Sequence, residues 1–190
     1  MFWNKNNKPS WFGSKLNEYE SALQSGDYST IPWIFCVLSE NHTVAKTVAA
    51  KQLRAALDKL SFDELIRIDE QMRQTTSMEW SINWRNYSLD KFFTPEMGEP
   101  ERRAVVVFAS FNPNGFIRER AVRLMKDYPG TLPFTILRQN DWVSQVRSAA
   151  VETTDHRLLH LSDGELIAAL PFADKLSRSG RAKGGNTYIY

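Results

Sequence analysis

A single cysteine, Cys36, in a chain of 190 residues leaves no way to close an internal disulfide. It lies in the apolar run Trp33-Ile34-Phe35-Cys36-Val37-Leu38, with no histidine or basic residue beside it. In such surroundings a free cysteine behaves as a small buried hydrophobe rather than a reactive thiol. Long apolar stretches are also missing. Nothing approaches the roughly 20 apolar residues that span a bilayer, and Met1-Phe2-Trp3-Asn4-Lys5 is not followed by an apolar stretch of signal-peptide length. These absences predict a cytosolic address and no membrane partner. A strong excess of charge is missing too, the net value being +2. The distribution is uneven, however: residues 1–101 carry 11 basic and 14 acidic side chains, and residues 102–190 carry 13 and 8. That gradient permits an acidic partner at the C-terminal half without demanding one.

Histidine is scarce at three residues, which limits the chemistry available. His156 and His160 stand four apart, on one helical face, with Glu152 and Asp155 nearby, but Arg157 occupies the position where a zinc-protease motif needs glutamate. Two ligands without a third of clear spacing predict no metal. His42 falls in a predicted turn without a Ser or Cys partner, so no nucleophilic triad is indicated. Gly180 to Gly185 lacks both a preceding apolar strand and the order Gly-Lys-Ser/Thr of a phosphate loop. Asp63, Glu64, Asp69 and Glu70 are spread as on a solvated helix face, not as a general acid–base pair. No cofactor and no catalytic residue are expected, and an enzymatic role is disfavoured.

What the chain has in quantity is apolar residues at helical spacing. Examples are Leu16, Tyr19, Leu23; Val44, Val48, Ala49, Leu53, Ala56, Leu57, Leu60; and Ile117, Ala121, Leu124, Met125. Only Val105-Val106-Val107-Phe108 has strand propensity. An internal repeat overrules it. Three segments align without gaps on a basic residue preceded six positions earlier by an acidic or amide residue: Glu40 with Lys46, Asn112 with Arg118, Asp141 with Arg147. Alanine follows three positions on, at Ala49, Ala121 and Ala150, and Ala45, Ile117 and Val146 immediately precede the basic residue. Pro32, Ala104 and Pro133 lie eight positions before the acidic or amide residue, two of them prolines suited to a first helical turn. Each copy therefore reads as an apolar helix, a short polar turn and a second amphipathic helix. The turn residue is expected to cap the second helix and to face the basic residue on its first turns.

Asn112-Pro113 through Ile117-Arg118-Glu119-Arg120-Ala121, and Asp141 through Val146-Arg147-Ser148-Ala149-Ala150, resemble the HEAT-repeat family over about half of the chain. The Glu40 to Ala49 copy matches less well, with Ala45-Lys46 in place of Val-Arg. The resemblance implies an all-α fold, a HEAT-like or armadillo-type α-solenoid of stacked antiparallel helix pairs, in which neither helix covers its own apolar stripe alone. It is nearly silent on function.

Residues 1–176 are expected to form one helical repeat domain with an inserted or degenerate unit at 61–101, followed by a basic tail at 177–190. The insertion starts at Ser61-Phe62-Asp63-Glu64, a capping-box spacing, and Phe62, Leu65, Ile68 and Met72 share one face. Residues 61–94 are expected to form an extra helix or helix pair, with Trp80, Trp84 and Tyr87 as a stripe on one helical face. That stripe is read as packing on its neighbours, and its alternative is a partner platform. Near the end, Ser162-Asp163-Gly164-Glu165 starts a helix that Pro171 is expected to kink or divide. If the stack continues past it, the chain is the N-terminal portion of a longer protein.

On the resemblance, the solvent side of the second helices would line a concave binding face bearing Lys51, Arg54, Arg120, Arg123 and Lys126, interrupted by Glu152 and Asp155. Arg118 and Arg147 are read as structural. The expected function is a scaffold that binds a protein or peptide there. The alternative is nucleic-acid binding, including the DNA glycosylase activity that some HEAT-like proteins have, although no catalytic acid stands out beside an aromatic pocket.

Overall fold

The computed structural model describes residues 11–75 and 82–178, whose regular elements are all helices, with no strand among the described residues. Contacts divide the chain into two compact units, 1–113 and 114–190.

In the first unit, α1 (Trp11–Ser14), α2 (Leu16–Gln24), α3 (Ile31–Val37), α4 (Thr43–Leu57), α5 (Phe62–Thr75) and α6 (Glu99–Ala109) follow in chain order. Helix α4 packs against α2, α3 and α6, and α3 packs against α1 and α5. Pro32 and Pro100 sit in the first turns of α3 and α6, where a missing N–H costs nothing. Helix α6 thus starts about one turn before Ala104 and opens with its own proline. The valine-rich stretch inside it is helical because Val105, Val106, Val107 and Phe108 are all fully buried. Burial on every side is a packing demand that outweighs the modest helix penalty of β-branching. Cys36 is fully buried, and burial pushes its thiol well above the ordinary range, as expected for a structural cysteine.

The Ser61–Glu64 capping box forms as expected. Glu64 Oε2 accepts from the Ser61 amide at 2.8 Å and from its hydroxyl at 2.7 Å, while the Glu64 amide donates back to Ser61 Oγ at 3.4 Å. Of the expected extra helix or helix pair, α5 is the helix that the described residues contain. The chain makes two 3-10 turns, Trp84–Asn86 and Leu89–Phe92. These are fastened by Lys46 Nζ donating to the Lys91 carbonyl, by the hydroxyls of Thr47 and Thr94 at 2.9 Å, and by Arg102 donating to the carbonyls of Met97 and Thr94, both at 3.0 Å. Asp69, expected on a solvated face, is buried beside Arg73 at 2.8 Å.

The second unit contains α7 (Gly115–Leu124), α8 (Leu132–Arg138), α9 (Ser144–Leu158) and α10 (Asp163–Ser177). Helix α8 packs on α9 and α10, and α7 on α9. Val122, Val146, Ala149 and Ala150 form a core cluster. Gly130, at φ +75°, turns the chain into α8 in a conformation that side chains rarely adopt. Helix α10 runs unbroken through Pro171. Phe172, next in sequence, is anchored 5.9 Å from Phe134, and that packing keeps the turn helical despite the lost amide.

The positions aligned in the sequence are alike in burial. Ala49, Ala121 and Ala150 are each wholly buried, and Ala45, Ile117 and Val146 nearly so. The capping scheme differs from expectation. Helix α4 is capped by His42 Nδ1 accepting from the Ala45 amide at 3.0 Å, and α7 by Asn114 Oδ1 accepting from the Phe116 amide at 2.9 Å. Both caps lie two residues beyond the Glu40 and Asn112 positions, which are themselves buried. Asp141 serves its own turn, accepting from the Val143 amide at 3.0 Å.

Candidate functional site

Arg118 and Asp141 are functional-looking residues with a structural task. The guanidinium donates from Nε to Asp141 Oδ2 at 2.9 Å and from Nη2 to Oδ1 at 2.8 Å, with both side chains sealed from solvent. Its face lies 5.0 Å from the Trp142 ring. Arg147 Nη1 donates to the carbonyls of Asp141 and Trp142 at 2.8 and 3.1 Å. Burial would raise the Asp141 carboxyl, but the Arg118 hydrogen bonds, the Arg138 and Arg118 charges and the Val143 amide outweigh it and hold it below the usual carboxylate range.

The residues expected on a binding face fare unequally. Arg54 pairs with Asp58 at 3.0 Å, and Asp58 also takes Arg103 at 3.1 Å. Arg123 bridges Glu119 at 3.2 Å and Glu152 at 2.7 Å, its own charge offset on both sides. Arg120 and Lys126 are exposed. Trp84 is core, with its ring 5.7 Å from Phe35, 6.0 Å from Phe92 and 5.8 Å from Tyr87, which is half-buried. Trp84 and Tyr87 lie on or beside a 3-10 turn, so the helical stripe is not formed; Trp80 lies outside the described residues. The rings of His156 and His160 are 5.3 Å apart, and among the described residues no group of three or more His, Cys, Asp or Glu could hold a metal ion.

Lys51 is the expected residue that opens onto a cavity. A cleft of about 400 Å³ runs between α2 and α4 of the first unit. Leu23 and Val48 line it with apolar surface, Ala55 and Ala56 keep its floor low, and Tyr28 lines it from the 3-10 turn that follows α2. Glu20, Gln24, Lys51 and Lys59 supply its polar groups. Among the described residues, the ammonium groups of Lys51 and Lys59 make no hydrogen bond or ion pair of their own. Gln52, also in the lining, is buried at 6% exposure, and its Nε2 donates to the Leu16 carbonyl at 2.9 Å. That bond fixes the carboxamide and leaves Oε1 buried without a donor. A buried acceptor in that condition costs about 1–3 kcal/mol.

The cleft forms because α4 presents Val44, Val48, Lys51 and Ala55 outward at i, i+4, i+7 and i+11, one stripe of the helix, while Ala49, Leu53 and Ala56 turn inward. Val44 and Val48 remain 67% and 36% exposed. Lys59 and Gln52 gave no sequence signal. Lys59 follows the helix end, and a glutamine in an amphipathic pattern reads as surface.

No protein-family model matches the chain, and neither a curated protein nor a solved structure matches it. Among the described residues no helix is long and apolar enough to cross a membrane.

Proposed function

We propose that the chain is a HEAT-like helical interaction module that binds a segment of another protein in the cleft between α2 and α4. The cleft carries this reading. At about 400 Å³ it falls in the size range of sites that take a ligand or a partner's anchor side chains. It combines apolar lining with a few polar groups whose hydrogen-bonding capacity is unspent, and that is how recognition sites acquire both affinity and orientation. The stacked-pair architecture is supported by the shared burial of Ala49, Ala121 and Ala150 and by the prolines that open α3 and α8. The mechanism is complementarity of a preformed surface, in which little ordering cost falls on the module itself.

The test is selection of peptides from a display library against the intact chain, followed by hydrogen–deuterium exchange with the strongest binder. Slowed exchange confined to about residues 16–28 and 44–59 is expected. Protection elsewhere would move the site, and failure to select any peptide would defeat the reading.

A further inference from the structure

Helix α10 leaves an apolar face bare on the side opposite its contact with α8. We infer that this face joins two copies of the chain, which pair their α10 helices antiparallel about a two-fold axis. The inference concerns a surface apart from the α2/α4 cleft and does not depend on it.

Glu165, Ala169 and Phe172 turn inward, where Glu165 accepts from the Leu132 amide at 3.0 Å and Phe172 meets Phe134 of α8. Leu166, Ile167 and Leu170 point the other way, 45%, 67% and 58% exposed, within about 100° of arc. A helix with apolar residues on both sides is ordinarily covered on both sides. Leu158 and Leu159, at the end of α9, are exposed as well. Among the described residues, five of the ten exposed large apolar side chains thus fall within 158–170. Singly scattered exposure needs no explanation, whereas this concentration marks a contact surface.

A second copy is the occupant because the face is complementary to itself. From Gly164 to Ala173 its exposed positions carry no charge, while Asp163 is acidic at the N-terminal end and Lys175 and Arg178 are basic at the C-terminal end. Antiparallel apposition that sets Ile167 of each copy level with Leu170 of the other puts apolar surface on apolar surface. The same register brings Lys175 level with Ser162, one residue from Asp163, on both sides of the axis. Asp174 falls level with Asp163, but its charge is already offset by its own Arg178 at 3.0 Å. Neither Asp163 nor Lys175 has an ion-pair partner among the described residues, so each is open to the other copy. The opposed helix dipoles add to the match, and a parallel neighbour would instead set like ends together. One helix face from each copy buries roughly 1,000 Å² in total, the low end for a specific interface, so a dissociation constant of about 10–100 μM is expected.

The experiment is sedimentation equilibrium of the intact chain from about 1 to 300 μM, a range that brackets the expected constant. A monomer–dimer equilibrium is expected. Ile167→Glu, which sets a carboxylate in the middle of the face, should weaken it on the order of a hundredfold and leave a monomer throughout that range. Asp163→Lys, and separately Lys175→Glu/Arg178→Glu, should each weaken association about tenfold, because like charges then meet at both ends. An equimolar mixture of those two variants should restore the dimer, since each new lysine meets the new glutamates of the other chain. All four positions are exposed, and circular dichroism with thermal melting checks that every variant folds. Mixing cannot mend a local folding defect, so restoration reports the antiparallel pairing itself. A wild-type chain that stays monomeric throughout the range overturns the inference. So does an association that Ile167→Glu leaves intact, or a mixture that associates no better than either variant alone.

Discussion

Arg118 shows how one side chain can hold a turn in place. It is fully buried, donates two parallel hydrogen bonds to Asp141 and lies against Trp142, whose backbone Arg147 also grips. Removing one partner of a buried pair strands the other charge, so Arg118→Ala should cost about 3–5 kcal/mol in a denaturant titration. Lysine cannot reproduce the fork, and Arg118→Lys should recover only part of the loss. The Asp141 carboxyl is held below its ordinary value of 3.8 in the folded chain, so the native state binds its proton less tightly than the unfolded chain does. Its contribution is therefore complete above about pH 5 and is lost as pH falls below 4 toward the folded value. The stability gap between wild type and Asp141→Asn should be flat from pH 5 to 8 and should close at lower pH; a gap independent of pH would contradict the assignment. Sequence spacing singled out both residues and set Asp141 beside Arg147, whose Nη1 donates to the Asp141 carbonyl at 2.8 Å, but it did not join Arg118 to Asp141. A turn residue six positions before a basic one suggests a bond within one copy, whereas Arg118 reaches forward to the turn of the next copy. Bonds of that kind are set by packing, not by spacing within a copy.

At the scale of helices, periodicity and the repeat register located nearly every long element, including α6 against its strand propensity. They failed where stability comes from tertiary anchors. Trp84 and Phe92 are held by Phe35 rather than by helical neighbours, so aromatic spacing of i, i+4 and i+7 predicted a stripe that does not exist. Pro171 shows the opposite failure: a strong local breaker is overridden because Phe172 and Ala169 are packed against the neighbouring helix. The strain remains in the balance, and Pro171→Ala should stabilise the chain by about 1–3 kcal/mol in thermal denaturation, since interior proline is the costliest helix residue. Glu165 is the clip that orients α10. Its Oε1 accepts from the Leu132 amide at 3.0 Å and its Oε2 from Arg157 Nη2 at 2.7 Å, joining α8, α9 and α10. Burial would raise this carboxyl, but those bonds and one from the Gly130 amide outweigh it and lower it from 4.5. Glu165→Gln should cost about 1–3 kcal/mol at neutral pH and speed amide exchange at Leu132. As with Asp141, the loss should diminish as pH falls below about 4.

For the molecule as a whole, the competing account is a nucleic-acid surface, and its strength depends on how many basic groups are free to meet phosphates. Affinity for a polyanion grows with the number of phosphates neutralised, each releasing a counterion. Arg54, Arg123 and Arg178 are already held by Asp58, by Glu119 with Glu152, and by Asp174. Lys51 and Lys59 share their cleft with Glu20 over apolar surface. The basic excess of residues 102–190 persists over 102–178, with 11 basic against 8 acidic side chains, but Arg123 and Arg178 within it are already paired. Titration with fluorescent single- and double-stranded DNA should show only weak binding, with dissociation constants no tighter than about 10–100 μM at moderate salt. Arg120→Glu should leave both that weak binding and stability nearly unchanged. Arg123→Glu should destabilise by about 0.5–1 kcal/mol, because its new carboxylate would face Glu119 and Glu152. Tight binding that weakens steeply with salt and is lost in Arg120→Glu would reverse this conclusion, because it would require the compensated arginines to leave their carboxylates for phosphate. In that event a base-release assay on DNA becomes the decisive next measurement, since binding alone would not make the chain an enzyme.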